Sequence, residues 1–419
     1  MDMPTSETTA ARAEAYAAPL ETLDPAQPAL FKANQMWWNF ERLRKEDPVH
    51  YTPESRFGAY WSITKFNDIM AIDTDHKSFS SEPGITIVAD MTTIAPDRTA
   101  GFISMDSPRH DVQRKTVTPA LAPTNLKNLE PLIRERAAKI LDELPIGEPF
   151  DWVELVSKEL TGMTLATLFG LPQEDRHKLL HWSDVVTAVP GQGLVETLEE
   201  KEAILQQCFA YFLGVWSDRL NREPTGDLFS MMAHAPDTRE MSPRDVIGNS
   251  LLLTIGGNDT TRNTISGSVY ALHSNPDQNA KLRADHALIP SMVSETIRWQ
   301  TPLAHMARRA TRDVEFGGKT IRENDKVIMW YVSGNRDDEV IDRPNDYIID
   351  RERPRNHVSF GFGIHRCVGN RLAELQLKVI WEEMLARFPE IAVIEEPSRS
   401  FSTFIKGYER MMVVIPRRA

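Results

Sequence analysis

Cys367 stands in the segment Phe360-Gly361-Phe362-Gly363-Ile364-His365-Arg366-Cys367-Val368-Gly369. A cysteine that ligates a metal does so as the thiolate, and thiolates are favoured where a helix begins, because free N–H groups and the helix dipole face the charge. Downstream, Leu372, Leu375, Leu377, Val379, Ile380, Met384 and Leu385 recur as one helix face, so a helix is expected to begin at Cys367. Gly363 and Gly369 let the backbone approach a flat ligand closely, and His365 and Arg366 are within reach of a negative group beside it. The bland alternative is a small buried hydrophobe ahead of a helix. Cys208, among Phe209, Tyr211 and Phe212, reads that way.

Three further groupings carry chemistry. Gly256-Gly257-Asn258-Asp259-Thr260-Thr261 sets two glycines inside a long helical stretch, where each costs about 1 kcal/mol relative to alanine. Such a sequence needs space or a distorted turn, and tight helix packing is the alternative. The acid and hydroxyl that follow suit proton transfer. Glu295 and Arg298 lie three apart and share one helix face; unassisted, that spacing gives an exposed ion pair of little value. His110 and Arg114 lie four apart and project from one face, which is also what a solvated charge pair would do.

Elements must position these residues. Helical spacing covers about 107–121, 124–144, 152–169, 173–187, 196–221, 243–274 and 288–299, with another helix after Cys367. Strand signals fall at 49–52 and 60–63, then late in the chain near 313–316, 326–331 and 391–415. Residues 1–28, rich in Ala, Thr, Glu and Pro, read as an N-terminal tail lying on the surface or partly disordered, and 29–419 as one large domain, mainly α with minor β. The pair Trp37-Trp38 reads as core packing rather than as a ligand platform.

Composition removes several classes. The 419 residues are 41% hydrophobic and 26% charged, with formal net charge -12, whereas a nucleic-acid surface needs a basic excess. Two cysteines far apart make a disulfide framework implausible and a reducing cytoplasm the expected compartment. The N-terminus has neither the basic start nor the apolar core of a secretory signal, and no apolar run reaches the length of a membrane span.

The spacing Phe-x-x-Gly-x-x-x-Cys-x-Gly at Phe360, Gly363, Cys367 and Gly369, with the other three motifs in order, resembles the cytochrome P-450 superfamily. The resemblance implies a single domain that holds haem b between two long helices, with Cys367 as axial ligand to iron. It implies that His110, Arg114 and Arg308 bind the haem propionates, that Phe360, Gly363, His365 and Gly369 shape the haem loop, and that Asp259 and Thr260 relay protons toward the oxygen being activated. It implies that Arg351 joins Glu295 and Arg298 in a structural cluster. The blocks Gly58–Met70, Gly256–Asn263 and Phe362–Glu374 look like the bacterial alkane terminal hydroxylases of family 153.

That family implies insertion of one atom of O2 into the terminal C–H bond of medium-chain n-alkanes or fatty acids. A terpene or steroid hydroxylase of the same fold is the alternative, and a non-catalytic haem sensor or electron carrier a more remote one. Apolar residues at family substrate positions are Ile85, Ile87, Val88, Leu252, Ile255, Gly256, Leu303, Ala304, Met306, Phe401 and Phe404; core filling is the competing explanation for each. Electrons are expected from a [2Fe–2S] ferredoxin and an NADH-dependent reductase, docking on Arg109, Lys115, Arg371 and Lys378 or on none of them.

Overall fold

The structure is a computed structural model and describes residues 5–92 and 99–419. It is mainly helical with small sheets. By internal contacts the chain divides into two compact units. Unit 1 comprises residues 1–95, 267–367 and 397–409; unit 2 comprises 96–266, 368–396 and 410–419.

Unit 1 is built on a five-stranded sheet in the order Val49–Thr52, Tyr60–Ile63, Lys326–Met329, Met306–Ala310, Phe79–Ser80. The second and third strands are parallel, with Trp61 opposite Val327, and the other pairings are antiparallel. Alternate residues point to opposite faces of a strand, and both faces are covered. Trp61, Ile63, Val327 and Met329 pack with Phe66, Ile69 and Ile72. Tyr60, Ile328 and Ala307 pack with Phe31, Phe40 and Trp330. Phe66, Ile69 and Ile72 come from a helix, Phe66–Thr74, absent from the sequence reading.

Unit 2 is mostly helices: Arg109–Val117, Pro123–Asp142, Glu159–Leu168, Arg176–Thr187, Leu198–Leu220, Leu228–His234 and Asn370–Arg387, with the long helix Pro243–Ser274 entering it as far as Ser266. A π-helical turn, Val153–Lys158, leads into Glu159–Leu168. Arg134 on Pro123–Asp142 reaches Glu382 at 2.5 Å and Glu383 at 2.9 Å on Asn370–Arg387. Phe150–Asp151, Met412–Val414 and Ala392–Val393 form a small antiparallel sheet. Cys208 is buried and its thiol is pushed up to about 12 by burial.

Most expected elements fall within a few residues of their places. The N-terminal segment differs: Thr5–Ala17 is a helix, on which Tyr16 donates to Glu41 at 3.2 Å and the Ala15 carbonyl accepts from Arg42 at 2.9 Å. Five alanines in that stretch supply the helix propensity. Residues 1–4 of the expected tail lie outside the described residues. Among the described residues, no helix is long and apolar enough to cross a membrane.

Candidate active site

The cysteine loop belongs to unit 1. Gly363–His365 form one 3-10 turn and the helix begins at Asn370, so Cys367 precedes it by three residues. The Cys367 N–H donates to the Phe360 carbonyl at 2.8 Å, closing the loop on itself. Cys367 is exposed, His365 is buried and Phe360 half-buried. Gly363 has φ +63°, and a Cβ there would stand 2.5 Å from the Asp73 carbonyl oxygen. Its glycine is therefore required by the floor of the loop. A Cβ on Gly369 would meet nothing within 4 Å.

That floor is organised by Asp73, an acid the sequence reading did not single out. Its Oδ1 accepts from Arg308 Nη2 at 2.7 Å; its Oδ2 accepts from the Tyr331 hydroxyl at 2.8 Å and from the Phe362 N–H at 2.7 Å. Asp73 and Arg308 are both buried, so Arg308 is held at the loop by a carboxylate of the chain itself.

Glu295, Arg298 and Arg351 come together in the same unit. Arg298 donates to both Glu295 oxygens at 2.7 Å, Arg351 Nε to Oε2 at 2.9 Å, and the Ile348 N–H to Oε1 at 2.8 Å. Arg298 also reaches the carbonyls of Asn335, Pro344 and Asp346.

The unit 1 candidates for substrate contact fall into different surroundings. Ile87 is packed in the core with Phe31, Trp330 and Ala304, Met306 packs against the other face of the sheet, and Val88 is exposed. Ile85, Leu303, Phe401 and Phe404 are half-buried. Leu303 bridges Ile405, and the Ala304 N–H donates to the Phe404 carbonyl at 2.9 Å.

The acid and hydroxyl lie in unit 2. The helix Pro243–Ser274 runs through the glycines without interruption. The two glycines differ: a Cβ on Gly256 would touch nothing within 4 Å, whereas one on Gly257 would stand 3.3 Å from Leu165 Cδ1, the close packing that was the alternative. Thr260 donates its hydroxyl to the Gly256 carbonyl at 2.8 Å. Leu252 and Ile255 on this helix are half-buried.

Asp259 is completely buried. Its Oδ1 stands 2.9 Å from Arg262 Nη2 and accepts from Asn258 Nδ2 at 3.1 Å. Its Oδ2 accepts no hydrogen bond of ordinary geometry among the described residues, although Ser183 faces it. Burial pushes its carboxyl up to about 6; Asp184 raises it too, while Arg262 pulls the other way. The charges continue outward: Arg262 Nη1 is 2.6 Å from Asp184 Oδ1, and Lys158 Nζ is 3.5 Å from Asp184 Oδ2. Exposure rises along that row, from 0% at Asp259 to 11% at Arg262 and about a fifth at Asp184 and Lys158.

Also in unit 2, His110 is buried on the helix Arg109–Val117, with Nδ1 2.8 Å from Asp111 and its ring edge-on to Phe102. Burial lowers its pKa below the usual histidine range, and the Asp111 bond opposes that. Arg114 is half-buried. Among the proposed docking cations, Arg109 pairs with Asp245, and Lys378 lies 3.8 Å from Glu130 and 3.6 Å from Glu382. Lys115 and Arg371 are exposed.

The donor types fit haem. An exposed cysteine sits on a loop closed by its own backbone hydrogen bond, and an imidazole and guanidinium groups suit the carboxylates of haem. The sequence pattern that defines the cytochrome P-450 family matches residues 68–405.

The chain is a cytochrome P-450.

A solved cytochrome P-450 of family 153 from Novosphingobium aromaticivorans is 42% identical, with a TM-score of 0.86 over 93% of this chain and 98% of its own. A linalool 8-monooxygenase from Pseudomonas putida is 33% identical over 94% of this chain and 99% of its own. A methyl-branched lipid omega-hydroxylase from Mycobacterium tuberculosis is 31% identical over 89% and 90%. This cytochrome P-450 belongs to family 153, and as a member of its superfamily it is a monooxygenase that uses haem with a cysteine thiolate ligand.

Proposed function

We propose that this cytochrome P-450 hydroxylates the terminal methyl group of medium-chain n-alkanes, fatty acids or both. The observation that carries this reading is the 42% identity to a family 153 structure across nearly the whole chain. The similarity to an omega-hydroxylase of methyl-branched lipids points the same way. Ile85, Leu252, Ile255, Leu303, Met306, Phe401 and Phe404, all half-buried apolar or aromatic side chains, suit a hydrocarbon, whose burial is worth about 0.8 kcal/mol per CH2. Ile87 and Val88 are weaker candidates for contact than their sequence positions imply, because Ile87 is packed in the core and Val88 faces solvent.

Haem b, when bound, supplies oxygen activation and C–H oxidation. Cys367 is the ligand to iron, since Cys208 is a buried, inert thiol. His110, Arg114 and Arg308 hold the propionates, and Phe360, Gly363, His365 and Gly369 form the loop around the thiolate. Asp259 supplies the proton. Its carboxyl titrates near 6, so both forms are populated close to neutrality, as a general acid requires, and Oδ2 is the oxygen available to take and release it. Thr260, whose hydroxyl rests on the Gly256 carbonyl, passes the proton on by turning that O–H away from the helix. A [2Fe–2S] ferredoxin with an NADH-dependent reductase delivers the electrons, and O2 and an apolar molecule are the substrates.

A terpene alcohol is the second reading, favoured by the 33% identity to a linalool 8-monooxygenase. The test is incubation of the holoenzyme with NADH, a surrogate ferredoxin and reductase, and equal octane, octanoic acid and linalool. Octan-1-ol or 8-hydroxyoctanoic acid as main product is the expected result. Oxidised linalool alone, or no product with the haem intact, overturns the terminal-hydroxylase reading.

A further inference from the structure

We infer that His305 is a specificity-determining positioning residue. It fixes the three apolar segments 85–88, 303–306 and 401–405 against one another and thereby selects which carbon of the substrate is oxidised. The inference deepens the proposed function and takes from it that these segments meet the substrate.

His305 is completely buried in unit 1, and both ring nitrogens bond to backbone far away in sequence. Nε2 is 3.2 Å from the Ile87 amide nitrogen, and Nδ1 is 2.7 Å from the Thr403 carbonyl oxygen. An amide can only donate and a carbonyl only accept. The ring is therefore neutral, with its proton on Nδ1, and burial keeps it so by pushing its pKa down to about 4. The ring edge also packs on Phe404 with centroids 5.4 Å apart, and on Trp330 at 5.0 Å.

Neighbouring bonds complete the junction. The Ala307 N–H donates to the Ile85 carbonyl at 2.8 Å, the Ala304 N–H to the Phe404 carbonyl at 2.9 Å, and Leu303 bridges Ile405. One imidazole thus joins the loop that carries Ile85, the segment that carries Leu303, and the turn that carries Phe401 and Phe404. A buried histidine is more often a satisfied core residue. This one differs in that both of its hydrogen bonds run to segments bearing proposed substrate contacts. A phenylalanine could fill the same space but would leave an amide and a carbonyl buried without partners. A displacement of about 1 Å at a reacting carbon can change rate about a hundredfold, so a small shift of these segments changes the site of oxidation before it changes folding.

The experiment compares His305→Phe with His305→Gln as holoenzymes of measured haem content. Glutamine can reproduce both bonds; phenylalanine keeps the ring packing and neither bond. The readouts are amide hydrogen exchange in peptides covering 85–92 and 401–405, and the terminal-to-subterminal product ratio on octane, octanoic acid and linalool. For His305→Phe, exchange is expected to rise about tenfold in both peptides, with a several-fold loss of positional selectivity; His305→Gln should stay near the wild type in both. Should His305→Phe fail to load haem, His305→Asn, too short to span both partners, takes its place. A Phe or Asn variant with wild-type exchange and wild-type product positions overturns the inference. If the wild type oxidises only linalool, the alkane reading fails, while the exchange data and the positions oxidised on linalool still decide the role of His305.

Discussion

Glu295 and Asp259 are both completely buried carboxylates, and each stands three residues before an arginine on the same helix. Their surroundings separate them. Glu295 accepts four hydrogen bonds, shared over both oxygens, from two arginines and a backbone amide. Asp259 has its partners on Oδ1, none of ordinary geometry on Oδ2 among the described residues, and a carboxyl raised to about 6. A buried charge is tolerable when paired and fully hydrogen-bonded. Glu295 meets that condition and is committed to the fold. Asp259 falls short of it, and the shortfall keeps a proton exchangeable in the interior. The same two-residue motif therefore gives a fastener in unit 1 and, on the proposed reading, a proton donor in unit 2, and the under-bonded Oδ2 makes the difference.

The comparison breaks most easily at Glu295. Glu295→Gln leaves Arg298 and Arg351 without their anion, and loss of one partner of a buried pair costs about 3–5 kcal/mol. Denaturant unfolding of the purified holoprotein should show a midpoint lowered accordingly; an unchanged midpoint would mean that Glu295 is as dispensable as a surface acid.

Asp259→Asn should do the reverse. Turnover is expected to fall about 10²-fold or more, the usual loss when a general acid is removed, while the unfolding midpoint at pH 7.5 holds or rises. A variant that loses stability and keeps its rate would exchange the roles assigned to the two acids.

Stability against pH sharpens the same point. The folded carboxyl of Asp259 titrates near 6, above its ordinary 3.8. Folding therefore takes up a proton between those values, and the stability tied to the neutral form is complete below about 4 and lost as pH rises through 6. The stability gap between Asp259→Asn and the wild type should open across that window, to about 3 kcal/mol at most, and stay flat above it. Parallel denaturation curves at pH 4.5 and 7.5 that show no change in the gap would contradict the buried, raised acid.

The smallest effect is expected at Asp184. Its charge helps to raise the Asp259 carboxyl, so Asp184→Asn should lower that pKa and draw the alkaline limb of the turnover profile to lower pH. The holoenzyme should otherwise keep its haem content and midpoint, Asp184 being a partly exposed group. A limb that moves upward would show that Asp184 acts through the position of Arg262 instead.

The long periodic helices were legible because an apolar stripe repeats locally. Glu295 and Arg298 were legible because one helix turn carries both. Arg262 could have been read by the same signal, three residues after Asp259. Asp73 could not: its partner Arg308 is 235 residues away, and no spacing announces such a pair. His305 was equally silent, since its meaning lies in an amide 218 residues before it and a carbonyl 98 after it. The proposed substrate residues were legible only as apolar positions. Sequence does not distinguish a side chain packed against Trp330, as Ile87 is, from one left half-buried, as Leu303 is. The N-terminal helix was missed because it has helix formers but no apolar stripe.

The chain's division into units has a consequence for biosynthesis. Unit 1 includes residues up to 409 and unit 2 residues up to 419. The last stretch supplies the Thr403 carbonyl that holds His305 and the strand Met412–Val414 that pairs with Phe150–Asp151. Neither unit is whole until residues beyond 396 have been made, so release of an N-terminal domain ahead of them, the common route for large proteins, is closed to this one. A stop after residue 396 would leave both units incomplete at once, and a nascent chain must be kept from aggregating until the residues beyond it emerge.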